Sequence, residues 1–214
     1  MSNRLILVPT QLEYDHIMAA CDRPRRRQPT EIQLCGFGIV AAAARTATLL
    51  SQRRPDSVLL LGIAGGLSSR APVGSCAEFS TVRCEGIGVG RSDQFQSAGN
   101  LGWMQWPGSD ESPPIGDVIR LAADTEQGSV ELLTVCAASS SPSEAQTRRE
   151  ESPDAIAEDM EGFGVALACQ LHDVPLTIIR GISNAAGDRD HSQWQIRDSL
   201  EAAVRLAVEK EFIV

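Results

Sequence analysis

Three positions place an ionisable group where the surrounding pattern calls for carbon, and such misplaced groups are where proton chemistry and ligand binding concentrate. Glu161 lies in the first turn of an apolar helix, and Gly162 and Gly164 leave room beside its carboxylate. That carboxylate suits a ligand or the positive end of the helix itself, and spacing alone does not choose between them. Arg180 closes the apolar run Val174–Ile179, so its guanidinium leaves a buried strand at the C-terminal edge and needs a carboxylate nearby. Glu13, at the corresponding end of the first apolar run, is one candidate for that partner; an exposed acid of an N-terminal helix is the other reading of it. The cluster Gly62-Ile63-Ala64-Gly65-Gly66 either brings backbone amides, those of Ala64 and Gly65 among them, up to a ligand or makes a tight turn.

Composition narrows the chemistry. Acidic residues outnumber basic ones by 28 to 19, a net charge of -9 that repels phosphate backbones and anionic lipid, so neither nucleic acid nor a membrane is an expected partner. Lys210 is the only lysine, which removes Schiff-base and P-loop chemistry. The six cysteines have no metal-clip spacing and His16, His172 and His191 are remote from one another, so no metal is expected. Small buried thiols in a reducing cytoplasm are expected instead, since Leu5–Val8 is too short for a secretion signal and no run approaches the roughly 18 apolar residues of a spanning helix. A chain of 214 residues, 43% of them hydrophobic, fits one domain.

The elements that must position these residues follow from periodicity. Strands are expected at Leu5–Val8, Ile32–Cys35, Ser57–Leu61, Val73–Arg83, Gly86–Gly90, Glu131–Cys136 and Pro175–Gly181, with a short extended piece at Ala155–Ala157. Helices are expected from Thr10 to about Ala20, over Ile39–Gln52, around Glu144–Glu151, over Asp159–His172 and from about Gln193 to Glu211. This alternation predicts a single-domain layered α/β/α fold with a mixed, mainly parallel central sheet and ligands at the strand ends. Gly36, Gly38 and Ala41 superficially match a dinucleotide fingerprint, but Asp56 precedes a strand where a ribose-binding acid would end one, so a nicotinamide cofactor is not expected. Arg23–Pro29 reads as a solvated turn and Ser92–Pro114 as a flexible or lid-like loop. Phe95 and Trp103 stack on a ligand or, more simply, fill a core.

The glycine cluster, Glu158-Asp159-Met160-Glu161 opening a helix, and Ile179-Arg180-Gly181-Ile182-Ser183-Asn184, in that order along nearly the whole chain, resemble the purine nucleoside phosphorylase and nucleosidase superfamily. Within it, Ile182–Asp190 followed by Gln193-Trp194-Gln195-Ile196, the Pro9–Glu13 start and the stretch Ala157–Gly162 are most similar to the futalosine hydrolase branch, which releases hypoxanthine from futalosine in an alternative menaquinone pathway. The resemblance implies a nucleoside phosphorylase-like fold, a nucleoside substrate, no cofactor and a homodimer.

It also implies roles. Glu161 would hold the ribose hydroxyls, Met160 would pack under the sugar, and Glu13, paired with Arg180, would orient the attacking water. Phosphorylases of this superfamily carry a Gly-Asp-Pro-Gly-Arg type loop after the first strand; a carboxylate at Glu13 instead disfavours phosphate, and Ile63 stands where a phosphate- or water-binding serine is often found. Adenine-releasing nucleosidases carry an aspartic acid at the position of Asn184, whose amide suits a 6-oxopurine better. Capping of the following turn is the alternative for Asn184. A methylthioadenosine/S-adenosylhomocysteine nucleosidase remains a competing function, as does a silent nucleoside-binding protein, because Ser92–Pro114 and Ala137–Ser141 match the family poorly.

Overall fold

The computed structural model describes residues 3–21, 31–91, 94–110, 112–121 and 130–213; the Arg23–Pro29 turn, Ser92 and Asp93 lie outside them. Along the chain run β1 (Arg4–Val8), α1 (Gln11–Cys21), β2 (Ile32–Leu34), α2 (Ile39–Arg53), β3 (Ser57–Gly66), β4 (Cys76–Glu78), β5 (Thr81–Cys84), β6 (Gly88–Val89), β7 (Gln96–Ser97), β8 (Val118–Arg120), β9 (Glu131–Thr134), α3 (Pro142–Glu151), β10 (Ala155–Asp159), α4 (Gly162–Leu171), β11 (Leu176–Ala185) and α5 (Ile196–Glu209).

Strands buried on both faces need unbroken apolar runs, and β1, β3 and β11 have them. Leu5, Leu7, Val58, Leu60 and Ile178 turn to one core, closed by Ala42, Leu49 and Leu50 of α2 and Phe163 and Ala166 of α4. Ile6, Val8, Leu59, Leu61 and Ile179 turn to the other, closed by Ile17 and Ala20 of α1 and Leu200, Ala203 and Val204 of α5. The result is the layered α/β/α arrangement. Parallel pairing joins β1 to β2 and β3, β3 to β11, and β9 to β5 and β10; antiparallel pairs join β10 to β3, β4 to β11 and β8 to β5.

One irregularity of this sheet prepares the site. β11 follows β3 along its whole length, but on the other edge of β3 the β1 register ends at Leu60 and β10 begins only at Gly65. Between them lies a stretch of β3 with no strand beside it on that edge. Its backbone groups are available to side chains.

Several expectations are corrected. Gly62–Gly66 continues β3 instead of turning, and β11 runs past Gly181 to Ala185, so Asn184 sits on a strand. Asp159 closes β10, and α4 starts at Gly162, because the Asp159 carboxylate accepts the Gly162 amide at 2.9 Å and the Thr134 hydroxyl accepts that of Phe163 at 2.9 Å. Val73–Arg83 is two strands in separate parts of the sheet, divided where Phe79 turns into the core. Gly88–Val89 forms a hairpin with β7 outside the main sheet, the edge strand β8 was not foreseen, and a short 3-10 turn at His191–Gln193 precedes α5. Cys136 is exposed and Cys76 half-buried, while the other four thiols are buried as expected. Trp103 is not core: it is 56% exposed.

The N-terminus of α2 lies directly on α4, and Gly164 makes that approach possible. A Cβ there would stand 2.4 Å from the Ile39 carbonyl oxygen, a backbone atom that cannot step aside. Gly164→Ala is therefore expected to lower unfolding free energy by about 1–3 kcal/mol, read by urea denaturation; a variant as stable as the parent would refute this account of the contact.

Candidate active site

A cavity of about 310 Å³ opens where β1, β3, β10 and β11 end, and its lining includes Glu13, Ala64, Gly65, Met160, Glu161 and Asn184. Arg180 does not line it; the side chain is fully buried behind the acids.

Glu13 is placed by a reciprocal helix cap. The Thr10 hydroxyl accepts the Glu13 amide at 3.3 Å, and Glu13 Oε2 accepts the Thr10 amide at 3.0 Å and its hydroxyl at 2.5 Å. This Thr10-Gln11-Leu12-Glu13 cap turns the carboxylate back over the end of β1. Its other oxygen accepts the Ile63 amide at 2.9 Å, on the strandless edge of β3. Glu13 is 3% exposed, so the reading of it as an exposed helix acid is overturned.

The expected pairing of Glu13 with Arg180 is also corrected. Arg180 gives Nε to Asp159 Oδ2 at 3.1 Å and Nη2 to Asp159 Oδ2 at 2.5 Å and Glu161 Oε2 at 3.2 Å. Asp159 has the stronger claim because it ends the neighbouring strand already oriented, its Oδ1 accepting the Thr134 hydroxyl at 2.6 Å. Glu13 acts on Arg180 only through its field. Burial pulls the guanidinium's pKa down, but Asp159, Glu161 and Glu13 outweigh it, and the net displacement is upward.

Arg180 Nη1 is buried without a hydrogen-bond partner among the described residues. It and Glu13 Oε1 converge over Gly62: a Cβ there would stand 2.3 Å from the one and 2.6 Å from the other. Only glycine leaves that junction open.

Glu161 sits at the N-cap of α4, not inside its first turn, and makes no capping bond with its side chain. Its Oε1 accepts the Gly38 amide at 3.0 Å, tying the start of α2 to the site. Burial, reinforced by Asp159 and Glu13, pushes its carboxyl up to about 7 against the opposing pull of Arg180 and the Gly38 amide.

Asn184 lies in the lining with its amide engaged by the turn that follows: Nδ2 donates to the Ala185 and Asp188 carbonyls at 2.8 and 3.4 Å, and Oδ1 accepts the Ser183 hydroxyl at 2.7 Å. The capping alternative thus describes its donor, while Oδ1 keeps acceptor capacity.

Sequence reasoning missed several lining residues. Glu158 and Ser139 form one wall with Ala138; Phe37, Arg189, His191 and Trp194 lie elsewhere in the lining. Strand alternation was the available signal for Glu158, since it and Asp159 must leave β10 on opposite faces. No described residue of 94–110 or 112–114 lines the cavity, so neither Phe95 nor Trp103 stacks there and the lid expected of that loop has no support.

The model of the Phosphorylase superfamily matches residues 27–211. A futalosine hydrolase of Streptomyces coelicolor is 36% identical over 180 residues, covering 80% of this chain and 74% of that one. A futalosine hydrolase of Acidothermus cellulolyticus is 30% identical over 212 residues, 92% of this chain and 85% of that one. The 5'-methylthioadenosine/S-adenosylhomocysteine nucleosidase of Helicobacter pylori shares the fold, with a TM-score of 0.75 at 15% identity over 99% of this chain and 97% of that one. Matched over most of its length by both the family model and these relatives, the chain belongs to the phosphorylase superfamily.

Proposed function

We propose that this chain is a purine nucleoside hydrolase that cleaves the N-glycosidic bond of a 6-oxopurine nucleoside, futalosine, to give hypoxanthine and the base-free sugar. The relatives named futalosine hydrolase support the substrate. The observation that carries the reaction type is the charge at the inner end of the cavity. Glu13, Asp159 and Glu161 line it, and the fully buried Arg180 guanidinium behind them is already shared between Asp159 and Glu161. A phosphorylase must neutralise a phosphate dianion there; this arrangement repels it and suits water and a cation-like sugar.

In this reading the ribose hydroxyls donate to Glu161, an acceptor-only group when ionised, and Met160 packs under the sugar near the Ala64 and Gly65 backbone. Water beside Glu13 adds to the anomeric carbon and gives its proton to that carboxylate. The bond to the base breaks with its electron pair leaving on the purine, solvent water gives the ring nitrogen a proton while Glu13 returns its own to solvent, and the resulting N–H donates to Asn184 Oδ1. Arg180 is a positioning group that holds Asp159 and Glu161. The sugar passes through an oxocarbenium-like state, which the surrounding carboxylates favour over the neutral ground state.

We place the chain, as one domain, in the cytoplasm, where its six free cysteines stay reduced. We also read it as a homodimer: Leu12 and Phe37 at the cavity and Val40 in the first turn of α2 are exposed apolar side chains that a second copy would cover.

Incubation with futalosine, inosine or methylthioadenosine, with and without phosphate, is expected to release hypoxanthine independently of phosphate. Adenine release from methylthioadenosine alone, phosphate dependence, or binding without turnover would each replace this reading. Glu13→Gln and Glu161→Gln are each expected to lower kcat by about a hundredfold or more, with thermal unfolding retained; near-normal turnover in both would remove the assignment. Because Glu161 must be ionised to accept both hydroxyls, and its carboxyl is raised to about 7 in the free protein, kcat/KM should climb with pH through about 7 and level off above it. The limb in kcat should lie lower, since bound hydroxyls favour the charged form. A flat kcat/KM between pH 6 and 8 would refute this. Sedimentation should give roughly twice the 22.9 kDa chain mass; a monomer at micromolar concentration would refute the dimer.

A further inference from the structure

We infer that Glu158 reads ring nitrogen N1 of the purine and selects bases that present an N–H there. This rests on the reading of the cavity as a purine nucleoside site. Selection of a 6-oxopurine needs a group that distinguishes its edge from that of adenine, and Asn184 is poorly placed for the task because its amide hydrogens are given to the Ala185 and Asp188 carbonyls. Glu158 supplies what is lacking. It leaves β10 on the face opposite Asp159 and lines the cavity beside Ala138 and Ser139.

Its carboxylate is fixed and ion-paired. Oε2 accepts the Ser139 hydroxyl at 2.7 Å and Arg148 Nη1 at 2.9 Å, while Oε1 accepts only the Ser139 amide, at 2.8 Å. Arg148 is itself anchored, through Nη2 to the Ala137 carbonyl at 2.7 Å and Nε to Glu85 at 3.0 Å. The wall therefore presents an ion-paired, acceptor-only group whose Oε1 has a lone pair to spare. Hypoxanthine carries a donor at N1 beside the acceptor O6; adenine carries an acceptor at N1 beside a donor. Facing Glu158, the first makes a charge-assisted hydrogen bond and the second sets lone pair against lone pair. No uncharged carbon side chain at this position would make the distinction.

The test uses the unaltered protein and free bases, so it does not depend on turnover. Calorimetric titration is expected to show hypoxanthine binding on the order of a hundredfold more tightly than adenine and than 1-deazahypoxanthine, which has a C–H of the same size at that position. Glu158→Gln, which keeps the shape and offers adenine a donor, should shrink the hypoxanthine-to-adenine ratio at least tenfold; if that variant does not fold, the deaza comparison on the parent decides. Equal binding of hypoxanthine and its 1-deaza analogue overturns the inference, as does the absence of base binding. Failure to hydrolyse futalosine with the base preference intact would instead remove the proposed reaction and leave this inference standing.

Discussion

A fully buried guanidinium governs this molecule. Arg180 lies inside β11, between helical layers, and a charge so placed costs several kcal/mol unless its donors are met. Asp159 and Glu161 meet it at 2.5 and 3.2 Å. The contact fixes the end of β10 against β11 and sets the start of α4. Through the Gly38 amide on Glu161, it also draws in the start of α2. One interaction thus holds four elements in register around the cavity. It also leaves the carboxylates only partly neutralised, since three acids at the inner end share one cation. Burial, reinforced by that imbalance, raises the Glu161 carboxyl to about 7, and the imbalance makes the same place favourable to a developing positive charge on a sugar.

The break along β3 is the second requirement. Had β1 continued beside β3, Ile63 would have given its amide to a strand and Glu13 would have had no fixed place. Instead the first strand stops, Pro9 interrupts it, and the Thr10–Glu13 cap returns a carboxylate to the vacated edge. Gly62 then keeps the space over that edge clear for Glu13 and Arg180 together. A helix cap and a ligand-facing acid are here the same residue.

Much of this was legible in the residues, and the failures have causes. The runs Leu5–Val8, Val58–Leu61 and Ile178–Ile179 announce strands buried on both faces, and the sheet is built on them. The site-bearing segments are legible too, because Glu13, Glu161 and Arg180 break otherwise apolar patterns and Asn184 stands out through the family resemblance. Their partners are not. Asp159 reads as the first residue of a helix, since spacing does not separate a strand's last residue from a helix's first when only two residues lie between them. So Arg180 was matched to the wrong acid. Short edge strands such as β4 and β8 carry too few residues for an alternation to show. The exposure of Trp103 and Cys136 reflects tertiary placement that composition does not encode.

The two faces of β10 divide the work that a nucleoside site requires. On one, Asp159 engages Arg180 and so fixes the proposed sugar contact at Glu161; on the other, Glu158 engages Ser139 and Arg148 and so fixes the proposed base contact. Each acid has its own arginine, drawn from a different element, and neither arginine bridges Asp159 and Glu158. In the proposed reading, charge can therefore change on the sugar side, as a bond breaks and a proton moves to Glu13, without loosening the group proposed to select the base. A single cation serving both acids would couple recognition to reaction; separate cations keep the site preorganised on one side while the chemistry proceeds on the other.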